Sequence, residues 1–299
     1  MKKLVVLLFL VFAHASMATT LPKKGDLSVT MYKLWHGDMM LVTLPNGKIM
    51  VVDTGYKRSP KKYLFPELTD RGVTKIDYLV LTHPDIDHIG GAGAILKRFK
   101  VGEIWYNGKK RDSKPFRRWW KIAKSKNIPI LTKNTGDVVI LDDTLVTFYG
   151  TQAKTIGHTK PDPHNSSSND TSLVFKITWR TFSMLFTGDI GYKVQEKLAK
   201  KYGKQLTSRV YKVAHHGDKH SKAFIDAVYP QFSVCPCLSI PFWMHPSKTA
   251  KTLLKQGLYN SVRKSGNITV FSDGFYIGLD LERGEQGGNR RLGKPWDEL

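Results

Sequence analysis

Short apolar runs alternate with polar segments along most of this chain, and most of these runs have the length of a β-strand. In the first half they predict strands at 28–36, 39–44, 48–55, 76–83 and 103–108. The sequence Pro45-Asn46-Gly47 forms a turn that joins the second and third of these strands as a hairpin. Helical periodicity predicts helices at 63–72, 90–99 and 116–127.

The second half continues the alternation. Strands are predicted at 137–141, 145–150, 172–179, 182–189, 208–217, 232–238, 267–271 and 275–282. Helices are predicted at 192–203, 222–230 and 247–257, and a polar loop at 152–170. We find no internal repeat of fixed period and no Ser/Gly-rich linker. The pattern therefore indicates one domain built from mixed α and β layers.

The N-terminal residues resemble a secretory signal peptide. Two lysines precede the apolar run Leu4–Phe12, and small residues follow at Ser16 and Ala18. We expect residues 1–18 to be removed, one folded domain to occupy 19–283, and residues 284–299 to form a loose tail. No later segment is long and apolar enough to span a bilayer. The expected location is periplasmic or extracellular, without stable membrane insertion after cleavage.

The net charge of the chain indicates which kinds of partner it could bind. The chain carries 47 basic and 25 acidic side chains, a formal charge of +22. Such an excess suggests nucleic acid, an anionic envelope polymer or a membrane surface as partner, although a generically basic exported protein is the plainer alternative. The two cysteines, Cys235 and Cys237, do not make a disulfide framework or a cysteine zinc site. They are expected to be small buried side chains, with a redox-active bridge as the alternative.

Four predicted strands end in potential metal ligands. The segment "LTHPDIDHIGG" places His83, Asp85, Asp87 and His88 directly after a buried strand. Three other strands end in "VVDTG", "LFTGD" and "VAHHG". Aspartates after strands often cap helices or make Asx turns. Four such ends that are rich in His and Asp favour a shared metal site instead, because divalent metals take these donors.

These motifs resemble the metallo-β-lactamase fold superfamily, which is marked by an H-x-H-x-D-H run after a buried strand. Asp85 stands where that run has its second histidine, and "HPDxDHxGG" is similar to the hydrolase domain of ComEC-type DNA-uptake proteins. The segments "NDTSLVF", "FTGD", "KVAHHG" and "MHPSKTAKTLL" follow in the same order. The resemblance implies an α+β fold, a four-layer αββα sandwich with its site at the edge between two sheets. It also implies one or two divalent metal ions, Zn²⁺ or Mn²⁺.

The resemblance also implies residue roles. His83 and Asp85 match ligands of the first metal, and Asp87 and His88 match ligands of the second. Asp189 matches the carboxylate that bridges both metals. His216 matches the last histidine of the second site, with His215 as a substitute or supporting residue.

Five further positions have other expected roles. Asp53 more often orients a ligand than binds metal directly. Asn169 falls where a third histidine of the first site is usual, so we expect it to contact substrate or water. His158 and His164 are expected on a loop surface. His245 is a candidate for offsetting charge or protonating the leaving group, with a place beside a helix cap as the alternative. The expected catalytic set is therefore Asp87, Asp189, Asn169 and His245.

The expected chemistry is hydrolysis by a metal-activated water, and three features favour phosphodiesters. They are the DNA-uptake resemblance, the positive charge and a basic-aromatic segment at 107–126. In that segment Arg117, Arg118, Lys121 and Trp120 are the expected substrate contacts. The alternative is an amphipathic helix with one tryptophan or more in its core face.

The sequence therefore predicts an exported metal-dependent hydrolase, a phosphodiesterase or nuclease acting on DNA. A hydrolase of a small ester, lactone or phosphocholine-type substrate is the first alternative. The second is a non-catalytic module that binds nucleic acid or envelope polymer. A β-lactamase is disfavoured, because Asp85 and Asn169 both depart from its ligand pattern.

Overall fold

The computed structural model describes residues 23–150, 168–218, 220–236, 257–283 and 290–292. Within these residues the strands form two mixed sheets, of nine and seven strands. No helix in the same part of the chain is both long enough and apolar enough to cross a membrane.

The first sheet has the strand order β16-β15-β14-β1-β2-β3-β4-β5-β6. Its strands are β1 Leu27–Met31, β2 Met40–Thr43, β3 Ile49–Val52, β4 Lys75–Leu81, β5 Lys100–Tyr106, β6 Ile130–Thr132, β14 Ile268–Ser272, β15 Ile277–Leu281 and β16 Arg290–Leu292. The second sheet has the order β13-β12-β11-β10-β9-β8-β7. Its strands are β7 Val138–Leu141, β8 Thr144–Gly150, β9 Val174–Trp179, β10 Phe182–Phe186, β11 Val210–Lys212, β12 Phe232–Cys235 and β13 Leu258–Ser261.

The described helices flank the sheets and are short. They are α1 Phe65–Asp70, α2 Ile86–Ile89, α3 Ala92–Arg98, α4 Lys114–Ser125, α5 Tyr192–Tyr202, α6 Lys222–Val228 and α7 Val262–Ser265. A π-helical turn, Pro60–Leu64, leads into α1. Ser113 caps α4 by accepting a hydrogen bond from the backbone N–H of Phe116, and Pro115 lies in the first turn, where its missing N–H costs nothing.

Three apolar clusters define the layers. One lies between the sheets and joins residues of both, such as Trp105 of β5 and Phe175 of β9. A second lies outside the first sheet, where Trp119 of α4 packs with α1 and α3. The third lies outside the second sheet, where α5 and α6 pack on Leu185 and Tyr211. This arrangement is the expected four-layer αββα sandwich, and the predicted fold class is confirmed.

Several local predictions differ from the structure. β1 ends at Met31 instead of continuing to 36, and the chain leaves the sheet there. β11 ends at Lys212 instead of continuing to 217, and the predicted strand gives way to a 3-10 turn in which His215 and His216 adopt positive φ angles of 44° and 50°. The three- and four-residue strands β6 and β13 were not predicted, since so short a run carries little periodicity.

The C-terminal segment and the cysteines were the subject of two other predictions. Within the segment 284–299, which was expected to be loose, Arg290–Leu292 pairs with β15. Cys235 ends β12, is fully buried as expected, and is disulfide-bonded. Cys237, the predicted signal peptide at 1–18 and the predicted helix at 247–257 lie outside the described residues.

Phe175 tests whether the inter-sheet cluster stabilises this arrangement. Its ring is fully buried and stacks on Phe186 with centroids 4.7 Å apart. We expect Phe175→Ala to lower the free energy of unfolding by about 3–5 kcal/mol, because it opens a cavity between the sheets. Val138→Ala, at a position 54% exposed, is the control and should change it by less than about 0.5 kcal/mol. Equal urea midpoints for the two variants would contradict this assignment of the core.

Candidate metal centre

The sheet topology brings the ligand-bearing segments to one edge. β3 and β4 are parallel neighbours in the first sheet, and β10 and β11 are parallel neighbours in the second. The carboxyl ends of parallel strands lie at the same edge of a sheet. Asp53 and His83 follow the first pair, and Asp189 and His216 follow the second. The two packed sheets thereby place four separate segments of the chain around one site.

Four side chains form the centre of this site. One donor atom from each of Asp87, His88, Asp189 and His216 lies within 4.8 Å of the other three. Asp189 Oδ2 is 3.1 Å from Nε2 of both His88 and His216. Asp87 Oδ2 is 3.6 Å from His216 Nε2 and 3.7 Å from His88 Nε2. Two imidazoles and two carboxylates that converge in this way suit a divalent cation. We call these four residues the metal cluster.

Asp53 contacts His88 on the side of the imidazole that faces away from the metal cluster. The Nδ1 atom of His88 donates to Asp53 Oδ2 at 2.8 Å, which leaves Nε2 facing the metal cluster. Asp53 is fully buried and accepts two more hydrogen bonds, from the backbone N–H and the hydroxyl of Thr82. Its backbone has a φ of 55°, a conformation that Asp and Asn tolerate better than most residues. Asp53 thus lies where it can orient His88, which is the kind of role expected for it from the sequence.

A buried lysine lies on the other side of the metal cluster. Lys212 Nζ is 2.5 Å from Asp38 Oδ2 and 3.4 Å from Asp189 Oδ1, and it donates to the carbonyl of Gly188 at 2.7 Å. Burial by itself lowers the pKa of Lys212, but the carboxylates of Asp38 and Asp189 raise it above its ordinary value. The ammonium therefore remains charged. It holds one oxygen of Asp189 and leaves the other to the histidines.

Asp38, Asp53 and His88 form a second acidic group, which is also fully buried. Its charges are already paired within the protein, by Lys212 on Asp38 and by His88 on Asp53. Asp38 Oδ1 also lies 3.5 Å from His216 Nδ1. This group therefore supports the two histidines and needs no cation of its own.

The segment 32–38 covers the metal cluster. His36 Nε2 is 3.1 Å from Asp87 Oδ2, and the rings of His36 and His216 lie 4.7 Å apart. The backbone N–H of Asp38 donates to the carbonyl of Asp87 at 3.2 Å. Gly37 has a φ of 87°, and a Cβ at this position would collide with the same carbonyl. Glycine is therefore required for the segment to approach so closely.

His83 presents a free nitrogen beside the metal cluster. Its Nδ1 lies 3.0 Å from Thr82 Oγ1 and 3.2 Å from Ser172 Oγ. These hydroxyls donate elsewhere, to Asp53 and to the carbonyl of Asn169, so Nδ1 of His83 is the donor. Nε2 is then an unprotonated acceptor, buried and without a hydrogen-bond partner. Burial, followed by the charge on His88, holds the pKa of His83 well below its ordinary value.

Asp85 is shared between His83 and a basic side chain. Its Oδ2 lies 3.8 Å from His83 Nε2, while its Oδ1 accepts hydrogen bonds from Arg111 and Ser168. The two residues expected at the first metal are thus adjacent. The structure, however, turns one carboxylate oxygen of Asp85 away from the metal cluster.

His215 and Asn169 contact each other instead of the metal cluster. Asn169 Nδ2 donates to His215 Nε2 at 3.1 Å, and His215 Nδ1 is 3.7 Å from Asp218. The buried Oδ1 of Asn169 has no hydrogen-bond partner. His215 therefore lies outside the set that Asp87, His88, Asp189 and His216 form. His158, His164 and His245 lie outside the described residues.

The charged forms of the side chains in the metal cluster stabilise one another. Burial opposes charge on His88 and His216, but the nearby carboxylates, Asp189 first, raise the pKa of His88 well above its ordinary value and that of His216 to about 9. Burial likewise raises the pKa of Asp189, yet His216, His88 and Lys212 hold it well below its usual range. Protons on the two imidazoles therefore offset the charge of the carboxylates.

His36, Asp38 and Lys212 were not predicted as site residues from the sequence, and Arg111 was predicted as part of the basic-aromatic segment at 107–126 but not as a partner of Asp85. The first two lie in "WHGD", which was taken as the end of a strand and the start of a hairpin. The glycine between them was the available signal, since an isolated glycine often marks a close backbone approach. Lys212 stands in the middle of a strand prediction, where a lysine is unusual without a buried partner.

Comparison with known proteins identifies the family of this chain. The chain belongs to the metallo-beta-lactamase superfamily, whose family model matches residues 32–223, more than half of the chain. It is similar to YhfI of Bacillus subtilis, a metallo-beta-lactamase fold protein, with a TM-score of 0.57 at 12% identity over 82% of this chain and 100% of that one. That similarity concerns the fold alone.

Two curated proteins are similar in sequence. ComE operon protein 3 of Bacillus subtilis (strain 168) is 27% identical over 286 residues, 88% of this chain and 34% of that protein. Competence protein ComA of Neisseria gonorrhoeae is 25% identical over 240 residues, 78% of this chain and 30% of that protein. The chain thus spans about a third of the length of each relative. The predicted resemblance to the superfamily and to ComEC-type proteins is confirmed.

Metal binding should depend on pH through the histidines. Because the pKa of His216 is raised to about 9, this imidazole is protonated at neutral pH and a cation must displace the proton. We expect Mn²⁺ affinity to rise with pH between about pH 6 and pH 8, roughly tenfold per unit for each proton released. Titration followed by the Mn²⁺ paramagnetic resonance signal measures this. His215→Gln should keep the slope, and a pH-independent affinity in the wild type would contradict the assignment of His216.

Removing the support behind His88 should weaken the metal cluster. Asp53→Asn preserves the shape and tolerates the positive φ, but it removes the charge that accepts from His88 Nδ1. We expect metal affinity to fall about 10–100-fold, the usual effect of losing such a partner. Asp226→Asn, an exposed carboxylate paired with Lys222, is the control. Equal affinities for the two variants would show that Asp53 does not support the ligand.

Proposed function

We propose that the protein is an exported, metal-dependent phosphodiesterase that cleaves DNA. The observation that carries the proposal is the ion pair between Asp85, beside the metal cluster, and Arg111, which lines a basic depression on α4. This contact supports the proposal, because a guanidinium group, which can bind phosphate, lies beside side chains that suit a divalent cation. Export is part of the proposal and rests on the sequence of residues 1–18.

The donor set fits a divalent ion, either Zn²⁺ or Mn²⁺. Asp87, His88, Asp189 and His216 would hold it, and His83 with Asp85 would hold a second ion if two are bound. A divalent cation lowers the pKa of a water molecule and offsets charge on a phosphoryl oxygen. Mixed nitrogen and oxygen donors are compatible with both metals.

The protein's own residues orient this chemistry. Lys212 fixes the carboxylate of Asp189, and His36 contacts that of Asp87. Neither carboxylate is therefore free to rotate away from the metal cluster. The Oδ1 of Asn169 has no hydrogen-bond partner, which supports the role proposed for this residue, a contact to water or substrate. His245 stays a proposed contributor on sequence grounds.

The basic depression has the properties of a nucleic-acid contact. Its volume is about 490 Å³, and its lining includes Lys110, Arg111, Phe116, Arg117, Trp120 and Lys121. Trp120 is half-buried, stacks on Phe116 at 5.6 Å and lies 5.4 Å from Lys110 Nζ. Its neighbour Trp119 is only 1% exposed and belongs to the core. Trp120 is therefore the tryptophan that supports the substrate proposal.

The basic side chains around this depression are free to meet phosphate. Arg117, Arg118 and Lys121 are exposed, and Arg117 pairs with Asp112, which is itself exposed. Such surface pairs contribute little and are readily exchanged. DNA is favoured over other anions because of the similarity to a competence protein and the resemblance to DNA-uptake proteins.

The proposed activity is tested with labelled single- and double-stranded DNA in Mn²⁺, Zn²⁺ or chelator. We expect cleavage that chelator abolishes and that Asp189→Ala lacks, because this substitution removes the carboxylate between both histidines. Asp226→Ala is the matched control, an exposed aspartate whose variant should cleave normally. Normal turnover by Asp189→Ala, or full activity in chelator, would refute the proposed mechanism.

The basic surface is tested by salt dependence. The logarithm of affinity for duplex DNA should fall linearly with the logarithm of salt concentration. Replacing Arg117, Arg118 and Lys121 with Gln should flatten that slope by roughly two to three units. The same replacement at Lys193, Lys197 and Lys200, exposed on α5, is the charge-matched control. Hydrolysis of a small chromogenic phosphodiester should persist in both variants. An unchanged slope with loss of that hydrolysis would make α4 structural and favour a small-ester substrate.

A further inference from the structure

An exposed tryptophan lies beside the metal cluster. Trp35 is 72% exposed and directly precedes His36, whose imidazole contacts Asp87 and His216. An indole left in water forgoes the stabilisation that its burial would give. Trp35 is not one of the residues of the metal cluster, and it does not line the basic depression on α4.

The segment that carries Trp35 is fixed on both sides. Leu34 is 2% exposed, and its backbone N–H donates to the carbonyl of Tyr32 at 3.0 Å. On the other side, Asp38 is bound by Lys212 and donates its backbone N–H to Asp87. Fraying therefore does not account for the exposure of Trp35, because its neighbours are anchored in the core and at the metal cluster.

Two other apolar side chains are exposed at the same place. Tyr56 is 37% exposed, and its ring lies 6.4 Å from that of His36. Ile86 is 53% exposed and directly precedes Asp87. We call Trp35, Tyr56 and Ile86 the rim. Each member is one residue or one ring contact away from the metal cluster.

The rim is accompanied by positive charge. Lys57 and Arg58 follow Tyr56 and are both exposed. Aromatic faces next to cations are the arrangement that binds single-stranded nucleic acid, in which bases stack and phosphates meet Lys and Arg. A purely apolar protein partner or an acyl chain carries no negative charge that could pair with Lys57 and Arg58.

We propose that Trp35, with Tyr56 beside it, is a stacking platform for an unpaired base of the strand whose phosphodiester lies at the metal cluster. The inference rests on the proposed function and specifies its substrate as single-stranded. Inside a duplex both faces of a base are covered by its neighbours, so that the platform has no face to meet. The platform therefore confers a preference for single strands, or for ends where bases are unpaired.

Binding of fluorescent single-stranded oligonucleotides, followed by anisotropy, tests this platform. The strands carry phosphorothioate linkages, which resist cleavage, and one set carries thymine bases while a matched set is abasic. We expect Trp35→Ala to weaken binding of the thymine strand about 5- to 150-fold, the range for loss of one stacked base. Trp35→Phe should retain most of the affinity, and neither variant should change binding of the abasic strand. Tyr56→Ala should weaken thymine binding in the same direction.

The control is Phe275→Ala, which removes another exposed aromatic ring, one that lies against Arg180 and is 57% exposed. It should bind both strands as the wild type does. Unchanged thymine affinity in Trp35→Ala, or an equal loss on the abasic strand, would overturn the platform. If the wild type cleaves DNA while Trp35→Ala binds normally, only this inference fails. If Trp35 governs binding but the wild type never cleaves, the proposed function fails and the platform stands.

Discussion

The site depends on the burial of negative charge at the edge between the two sheets. Asp38 and Asp53 are fully buried, and Asp189 is 3% exposed. An isolated carboxylate removed from water is costly, so each needs a positive or hydrogen-bonding partner. Lys212 serves Asp38 and Asp189, and His88 serves Asp53. This pairing fixes the supporting carboxylates and leaves Nε2 of both cluster histidines directed at Asp87 and Asp189. Protons on those imidazoles complete the charge balance.

The same requirement explains the irregular backbone around the site. Asp53, directly after β3, and His215 and His216, in the turn that follows β11, take positive φ angles, and each such residue costs on the order of 1 kcal/mol. The turns direct side chains from strand ends into one small volume, which regular strands would not achieve. Gly37 completes the enclosure from the opposite direction, because only a glycine brings the segment 32–38 against the carbonyl of Asp87. Local strain is thus balanced by the ion pairs and hydrogen bonds that the turns permit.

The alternation of strands and helices and the residues of the metal cluster could be predicted from local sequence patterns, whereas the four-layer arrangement was implied by the family resemblance. Apolar runs of strand length gave most of the sheet, and "HPDIDH", "TGD" and "HHG" gave the four converging side chains. Lys212 and Asp38 could not be assigned in this way. They lie far apart in the chain, and their role appears only when the sheets bring them within 2.5 Å. The orientation of Asp85 depends likewise on Arg111, which reaches it from a separate loop. Trp35 was placed within a strand, and only the end of β1 at Met31 shows that it lies on a segment over the site.

The central claim is that Asp87, His88, Asp189 and His216 together hold a divalent cation. A crystal structure of the Mn²⁺-loaded protein, with anomalous scattering to locate the metal, tests it most directly. We expect an anomalous peak within coordination distance of Nε2 of His88 and His216 and of one oxygen each of Asp87 and Asp189. Lys212 should still be bound to Asp38. A peak between Asp38 and Asp53 with Lys212 displaced, or no peak near these residues at saturating Mn²⁺, would contradict it.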